Sequence, residues 1–237
     1  MRLHRFYVTE QVGIKDTLVI ESTTLVHQIK DVFRLKSGDS VIVFDGSGSD
    51  FECTISDMNK KSISLNVVST EKSHFMPTRE VVLYSAIVKK DTFEWIVEKA
   101  TELGVTTIIP VIANRSEKKA LNMERLNKIA VEASEQSGRG DVPKIGEIMT
   151  LKDVIKSRQG LPLAEMIAFD IDAPLLPRVG LGRNVSCGLF IGPEGGWSSD
   201  EVALFHTNNI PVKSLGSQVL RAETAVIVAL SLVMLGK

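Results

Sequence analysis

Along this chain the spacing of apolar positions changes character near residue 75. Before it, apolar and polar residues alternate over short stretches. Val41-Ile-Val-Phe44 runs into Asp45-Gly-Ser-Gly48, a hairpin signal, and Phe51 to Ile55 alternates as a returning strand. Ile63, Leu65 and Val67 share one face of a further strand over Ser62 to Val68. Gln28 to Leu35 predicts one short helix ahead of the Lys36-Ser-Gly-Asp39 turn. Short strands with little helix predict a small β-barrel over residues 1–72, with His74-Phe-Met-Pro77 as the linker.

From residue 76 to residue 237 the rhythm is strand, helix, strand. Val81 to Val88 is a continuous β-rich run. Asp91-Thr-Phe-Glu94 reads as a capping box, after which Phe93, Ile96, Val97, Ala100 and Leu103 recur at helical spacing until Gly104. Thr106 to Ile112 predicts a second buried strand. Asn122 is placed to cap a helix with an apolar stripe of Leu126, Ile129, Ala130 and Ala133. Glu165–Phe169, Ser186–Ile191 and Pro211–Leu215 supply further strands, and Ser198-Ser-Asp-Glu201 reads as a second capping box. Alternation of this kind predicts an α/β domain, a mostly parallel sheet with helices on both faces. The last helix, Ala225 to Leu235, is apolar around nearly its whole circumference, with Ser231 the one polar interruption. Such a helix has to be covered on all sides, within its own domain or against another subunit.

Composition narrows the classes. The chain has 237 residues, 43% of them hydrophobic, enough for one large core or two modest ones. A net charge of −1 excludes a global basic field, so any nucleic-acid site has to be a local patch. Cys53 and Cys187 show neither metal spacing nor a disulfide framework, and no metal constellation is evident. Met1-Arg-Leu-His-Arg-Phe-Tyr7 lacks the apolar stretch of a secretion signal, and Ala225–Leu235 is too short to span a bilayer. The expected location is the cytoplasm.

The chemistry concentrates in two glycine-punctuated segments. Phe190-Ile-Gly-Pro-Glu-Gly-Gly-Trp197 and Leu215-Gly-Ser-Gln-Val-Leu-Arg-Ala-Glu-Thr-Ala225 each follow an apolar strand and each open a helix. Two such turns can build one pocket at the carboxyl edge of an α/β sheet. Phosphate loops combine backbone N–H groups with a helix dipole and often a lysine. Here Glu194 sits in the middle of the first loop, no lysine follows, and neither GxGxxG nor GxxxxGK spacing is present. A polyanion would be repelled. A cofactor with a positive centre and no phosphate, such as S-adenosylmethionine with its sulfonium, would not. A loop that merely turns tightly is the alternative. Arg221 and Glu223, at the mouth of the all-apolar helix, read either as a plain salt bridge or as groups beside the cofactor.

Gly192-Pro-Glu-Gly-Gly196 followed by Leu215-Gly-x-x-Val-Leu-Arg-x-Glu-Thr-Ala225 resembles the SPOUT-class methyltransferases that modify uracil N3 in 16S ribosomal RNA. Glu98-Lys-Ala-Thr-Glu-Leu-Gly104, the Pro110-to-Arg115 strand exit, Glu132-Ala-Ser-Glu-Gln-Ser-Gly-Arg139 with Pro143, and Arg5-Phe-Tyr7 resemble that family too, so the likeness runs the length of the chain. Trp197 and Val219 depart from it, standing where Phe and Ile are expected. The resemblance implies an N-terminal PUA-like β-barrel that binds RNA and a trefoil-knotted SPOUT α/β domain, working as a homodimer on the small ribosomal subunit. It implies an S-adenosyl-L-methionine site formed by Phe169, Ile191, Gly192, Pro193, Glu194, Gly195, Gly196, Leu215, Gly216, Val219, Leu220, Arg221 and Ala225. Uracil N3 carries a proton at neutral pH, so the reaction needs a proton acceptor and donors for charge spreading onto O2 and O4. Arg221, with its fixed fork of donors, suits the second role. Glu223 and Glu194 both remain open for the first.

RNA has to be gripped locally, and Arg2, Arg5, Lys89, Lys90, Arg115 and Arg139 are the candidates, with a solvated surface as the plain alternative for the lysines. Core packing is the plain alternative for Phe6 and Tyr7. Two rival functions stay open: a SPOUT-type ribose 2′-O-methyltransferase of tRNA or large-subunit RNA, and a non-catalytic RNA-binding module. A phosphate-binding dehydrogenase or kinase is disfavoured by the charge of the first loop.

Overall fold

A computed structural model of the chain describes residues 3–13, 15–116, 120–157, 165–176 and 185–234. It divides into two compact units, one comprising residues 1–76 with Ser134–Val142, the other Pro77–Ala133 with Pro143–Lys237.

In the first unit β1 (Arg5–Tyr7), β2 (Thr17–Ile20), β3 (Ser40–Phe44), β4 (Ser49–Met58) and β5 (Ile63–Lys72) form a sheet of order β1-β3-β4-β5-β2. Pairing is antiparallel except between β1 and β3. The hairpin predicted at Asp45–Gly48 joins β3 to β4. Register shifts at Glu52/Cys53 and Ile55/Asp57 bend the long β4–β5 ribbon, so that the sheet curls round one core of Phe6, Val41, Phe51, Ile63 and Leu65. The helix expected over Gln28–Leu35 differs in detail. It starts earlier, as α1 (Thr23–His27) with the Ser22 hydroxyl accepting from the Leu25 N–H, and continues as a π-helical turn over Gln28–Val32.

The second unit is built on a parallel sheet of β6 (Val81–Ala86), β7 (Thr107–Ile112), β8 (Lys144–Ile145), β10 (Glu165–Phe169), β11 (Cys187–Ile191) and β12 (Val212–Lys213), in the order β12-β10-β11-β6-β7-β8, with β9 (Met149–Thr150) also on β7. Helices α2 (Lys90–Glu102), α3 (Met123–Ser137), α4 (Leu151–Ser157), α5 (Ser199–Thr207) and α6 (Ala222–Met234) complete the element list. One face of the sheet buries Val82, Tyr84, Ala86 and Phe190 with Leu151 and Val154 of α4 and Phe205 of α5. Side chains alternate along a strand, so α6, which contacts both β11 and α2, covers the opposite face. Phe190 ties the first face together: it stacks on Tyr84 with centroids 4.4 Å apart and meets Phe205 edge-on at 5.2 Å. Gly188 makes room for this, because a Cβ there would lie 3.0 Å from the Tyr84 ring.

Of the two capping boxes, one forms. Ser198 and Glu201 bond reciprocally at the start of α5, and Asn122 accepts from Arg125 N at 3.0 Å ahead of α3. The Asp91–Glu94 box does not form. α2 starts at Lys90 with Lys89 as its N-cap, two positions ahead of Asp91, and the Glu94 carboxylate instead faces Lys90 at 3.7 Å and Arg125 at 3.5 Å. Both cysteines are buried free thiols, and burial pushes each to about 11. No helix among the described residues is long and apolar enough to cross a membrane.

This packing separates a core effect from a cap effect. Phe205→Ala should destabilise the second unit by about 3–5 kcal/mol, the usual range for emptying a buried aromatic site, whereas Ser198→Ala should cost about 1 kcal/mol. Denaturant unfolding of the two variants against the parent chain measures both.

Candidate active site

The carboxyl ends of β10, β11 and β12 open into one cleft of about 690 Å³. Its size falls within the ordinary range for small-molecule sites. The two glycine-punctuated loops form much of its wall. After β11, Gly196 N donates to Pro193 O at 2.8 Å, closing a four-residue turn with Glu194 and Gly195 at its centre. Gly196 sits at φ +67°, a conformation that favours glycine. Gly192 serves a different need: a Cβ there would lie 3.2 Å from the Trp197 indole. That indole is buried and its Nε1 donates to the Phe169 carbonyl at 3.1 Å. The bond ties the end of β10 to the loop after β11.

The second loop leaves β12 through Ser214, whose hydroxyl donates to Gly216 O at 2.7 Å and accepts from Gly216 N at 3.3 Å. Nothing lies within 4 Å of a Cβ placed on Gly216, so that position faces open space, and Gly216 lines the cleft. Val219, 82% exposed, and Ile171 stand at the walls as bare apolar groups.

Of the residues expected at a cofactor site, Phe169, Ile191, Gly192, Pro193, Glu194, Gly195, Gly196, Leu215, Gly216, Val219, Leu220 and Ala225 all line this cleft, and Arg221 does not. Arg221 is exposed, between the lining residues Leu220 and Ala222, and Glu223 is half-buried in the first turn of α6. The two do not pair, and neither side chain has a hydrogen-bond or ion-pair partner among the described residues. Glu194 is exposed at the turn. Reading the sequence missed the segment after β10. Asp170, Asp172 and Pro174 line the cleft, with Asp172 N donating to the Asp170 carboxylate at 3.0 Å. A polar pair directly following a buried strand, Phe169-Asp170, was the available signal. Trp197 was also passed over, as a packing residue.

The basic candidates scatter. Lys89 and Lys90 are exposed at the start of α2. Arg115 lines the cleft and donates to Gly195 O at 2.6 Å. Arg5 and Arg139 lie inside the first unit instead. The Arg5 side chain, 6% exposed, pairs with Asp50 and donates to Arg139 O at 2.8 Å. The Arg139 side chain, 1% exposed, grips Asp141 through two bonds of 3.0 and 2.9 Å. Arg2 lies outside the described residues. Phe6 is core, and the Tyr7 ring packs 5.5 Å from Phe44.

Three carboxylates against one arginine, Arg115, an apolar lining and no lysine among the described lining residues suit a nucleoside-sized ligand with a positive centre. Comparison with known proteins agrees with this chemistry. A family model described as RNA methyltransferase domain matches residues 76–234, and one described as RNA methyltransferase PUA domain matches residues 26–68. The chain is therefore an RNA methyltransferase by family, with a PUA domain in its first unit and an α/β domain on a parallel sheet in its second. It is 33% identical over 236 residues to the ribosomal RNA small subunit methyltransferase E of Rickettsia conorii, covering 99% of this chain and 96% of that protein. Within the RNA methyltransferases, the chain belongs to that small subunit methyltransferase E family. The fold is shared with a ribosomal RNA small subunit methyltransferase E from Neisseria gonorrhoeae solved bound to S-adenosyl methionine, with TM-score 0.87 and 24% identity over 97% of this chain and 96% of that one. A Legionella pneumophila protein solved with the bound cofactor SAM superposes with TM-score 0.86 at 26% identity, covering 98% and 96% of the two chains.

The Trp197 bond gives the site a direct optical test. In a Trp95→Phe background, Gly192→Ala should shift the emission of Trp197, since the added methyl crowds an indole fixed by its bond to Phe169. An unchanged spectrum would mean that the indole does not pack over Gly192.

Proposed function

We propose that this chain uses S-adenosylmethionine to methylate N3 of a specific uridine in 16S RNA of the small ribosomal subunit. The observation that carries the reading is the cleft at the ends of β10, β11 and β12, walled by both glycine-punctuated loops and by carboxylates. Asp170, Asp172 and Glu194 supply negative potential toward a cationic centre. Pro193, Leu215 and Leu220 supply apolar surface for a base. S-adenosylmethionine, when bound, supplies a methyl group already activated on sulfur, so no metal is needed for its transfer.

The protein's own tasks are to take the N3 proton and to stabilise charge on O2 and O4. Arg221, unpaired among the described residues and adjacent to the cleft wall, is assigned the second task. Glu223, beside it on α6, and Glu194, on the facing turn, are the two carboxylates available for the first. The barrel at residues 1–72 is read as an RNA-binding domain and residues 76–237 as the methyltransferase domain, with Lys89 and Lys90 as exposed RNA contacts. Burial removes Arg5 and Arg139 from that set, since neither guanidinium faces solvent. A homodimer is part of the same reading: Leu232 on α6 is 46% exposed in the single chain, an apolar group that a second copy would cover. The working compartment is the cytoplasm, where ribosomal RNA is modified.

Two variants separate binding from turnover. Gly216→Val should fold like the parent, because nothing lies within 4 Å of a Cβ there, yet lose S-adenosylmethionine binding in calorimetry. Undiminished affinity would remove the second loop from the cofactor site. Arg221→Ala should lower turnover by about 10²–10³-fold, the scale for losing one charge-stabilising donor, with a much smaller change in cofactor affinity. Equal losses in both would make Arg221 a cofactor-binding group instead.

A second prediction concerns assembly. Leu232→Glu should convert a dimer into monomers or aggregates with little activity, read by sedimentation. A parent chain that sediments as a fully active monomer would contradict it.

A further inference from the structure

The turn that carries Glu194 is held from outside by the strand exit that follows β7. Arg115 NH1 donates to Gly195 O at 2.6 Å, and the stem of Arg115 lies 3.4 Å from where a Gly195 Cβ would be. On the other side of that same peptide bond, Gly196 N donates to Pro193 O at 2.8 Å. Both polar groups of the Gly195–Gly196 peptide are thus engaged, its carbonyl by Arg115 and its N–H by the turn itself. The neighbouring residue repeats the attachment one step along. Asn114 Nδ2 donates to the Ser198 hydroxyl at 2.8 Å, and Asn114 N donates to the Glu201 carboxylate at 2.8 Å. Ser198 and Glu201 are the capping pair of α5.

Glycine peptides have the widest choice of conformations, so a turn with two adjacent glycines is prone to peptide rotation. Gly196, at φ +67°, already occupies a region open to alternatives. Rotating the Gly195–Gly196 peptide would break the turn's closing bond and the bond to Arg115 together. We propose that Arg115 is a positioning residue for the methyl-donor site: it locks the Pro193–Gly196 turn through the Gly195 carbonyl and thereby fixes the wall that carries Glu194. The exposed guanidinium is then explained by the loop it holds and not by contact with RNA. Because a single N–H donor makes the bond to the Gly195 carbonyl, an ammonium can replace it, unlike at a forked site.

This inference rests on the cofactor reading above, and its test has an arm that does not. Without any ligand, amide exchange at Gly196 should be roughly tenfold faster in Arg115→Ala than in the parent, as expected when a local opening is released. Arg115→Lys should restore most of the protection. With S-adenosylmethionine, Arg115→Ala should bind roughly tenfold more weakly, about 1.4 kcal/mol. KM for the cofactor should rise while kcat changes little, and Arg115→Lys should recover most of the affinity. A short single-stranded RNA titrated without cofactor should bind parent and Arg115→Ala alike. Unchanged Gly196 exchange in Arg115→Ala would overturn the lock. Weakened RNA binding with unchanged cofactor affinity would overturn it too, making Arg115 an RNA contact. If the parent chain failed to bind S-adenosylmethionine while Arg115→Ala still released Gly196, the proposed function would fail and the lock would stand.

Discussion

The hydrogen bond from the Trp197 indole to the Phe169 carbonyl is the joint on which the site depends. Parallel strands end with their carbonyls facing the loops that follow, so each strand end needs a partner or water. β10 receives one from the loop after β11. The indole can reach it because Gly192 has no side chain and because Phe205 packs against the ring, near-perpendicular at 5.1 Å. A packing interaction and a polar one are thereby joined in a single residue. The cleft opens directly beside it, with Phe169, Gly192 and Trp197 all among its walls.

Around that joint the molecule divides its tasks. The parallel sheet, with α4 and α5 on one face and α6 on the other, supplies a rigid base. The turns at Pro193–Gly196 and Ser214–Gly216 supply walls built largely of backbone, which can approach a ligand closely. Charge sets the ligand class. Carboxylates at Asp170, Asp172 and Glu194 outnumber the one lining arginine, Arg115, which is engaged on the Gly195 carbonyl, and no lysine is among the described lining residues; this balance disfavours phosphates, in keeping with membership of an RNA methyltransferase family. Apolar groups left bare at Val219 and Ile171 mark the edge of the same cleft.

Periodicity in the sequence foretold most of the strands and the alternation of the second unit, because buried parallel strands and amphipathic helices impose strong spacings. Cap chemistry was less decisive. The Ser198–Glu201 box and the similar Asp91–Glu94 pattern differ in the cap residue and in what lies nearby: Glu94 faces Arg125, thirty-one positions away in the sequence, and no local pattern reports that. Glycines and strand ends occurring together pointed to the two loops as one pocket, and the family resemblance supplied the twelve expected residues that line it. Asp170 and Asp172 were not legible, since the segment after β10 is held at the wall by backbone bonds to a distant stretch, Asp170 N donating to Lys213 O at 3.0 Å and Leu176 N to Ser214 O at 2.9 Å. Arg5 and Arg139 look like surface cations in sequence, and only the distant Asp50 and the local Asp141 turn them into buried ion pairs.

Nucleoside analysis after methyl transfer tests the central claim most directly. Small-subunit ribosomal RNA from cells lacking this protein, incubated with the purified chain and S-adenosylmethionine carrying an isotopically labelled methyl group, is digested and its nucleosides are resolved by mass. The account predicts label in N3-methyluridine at one position. Label in a 2′-O-methylated nucleoside, or in no nucleoside although the cofactor binds, would contradict it.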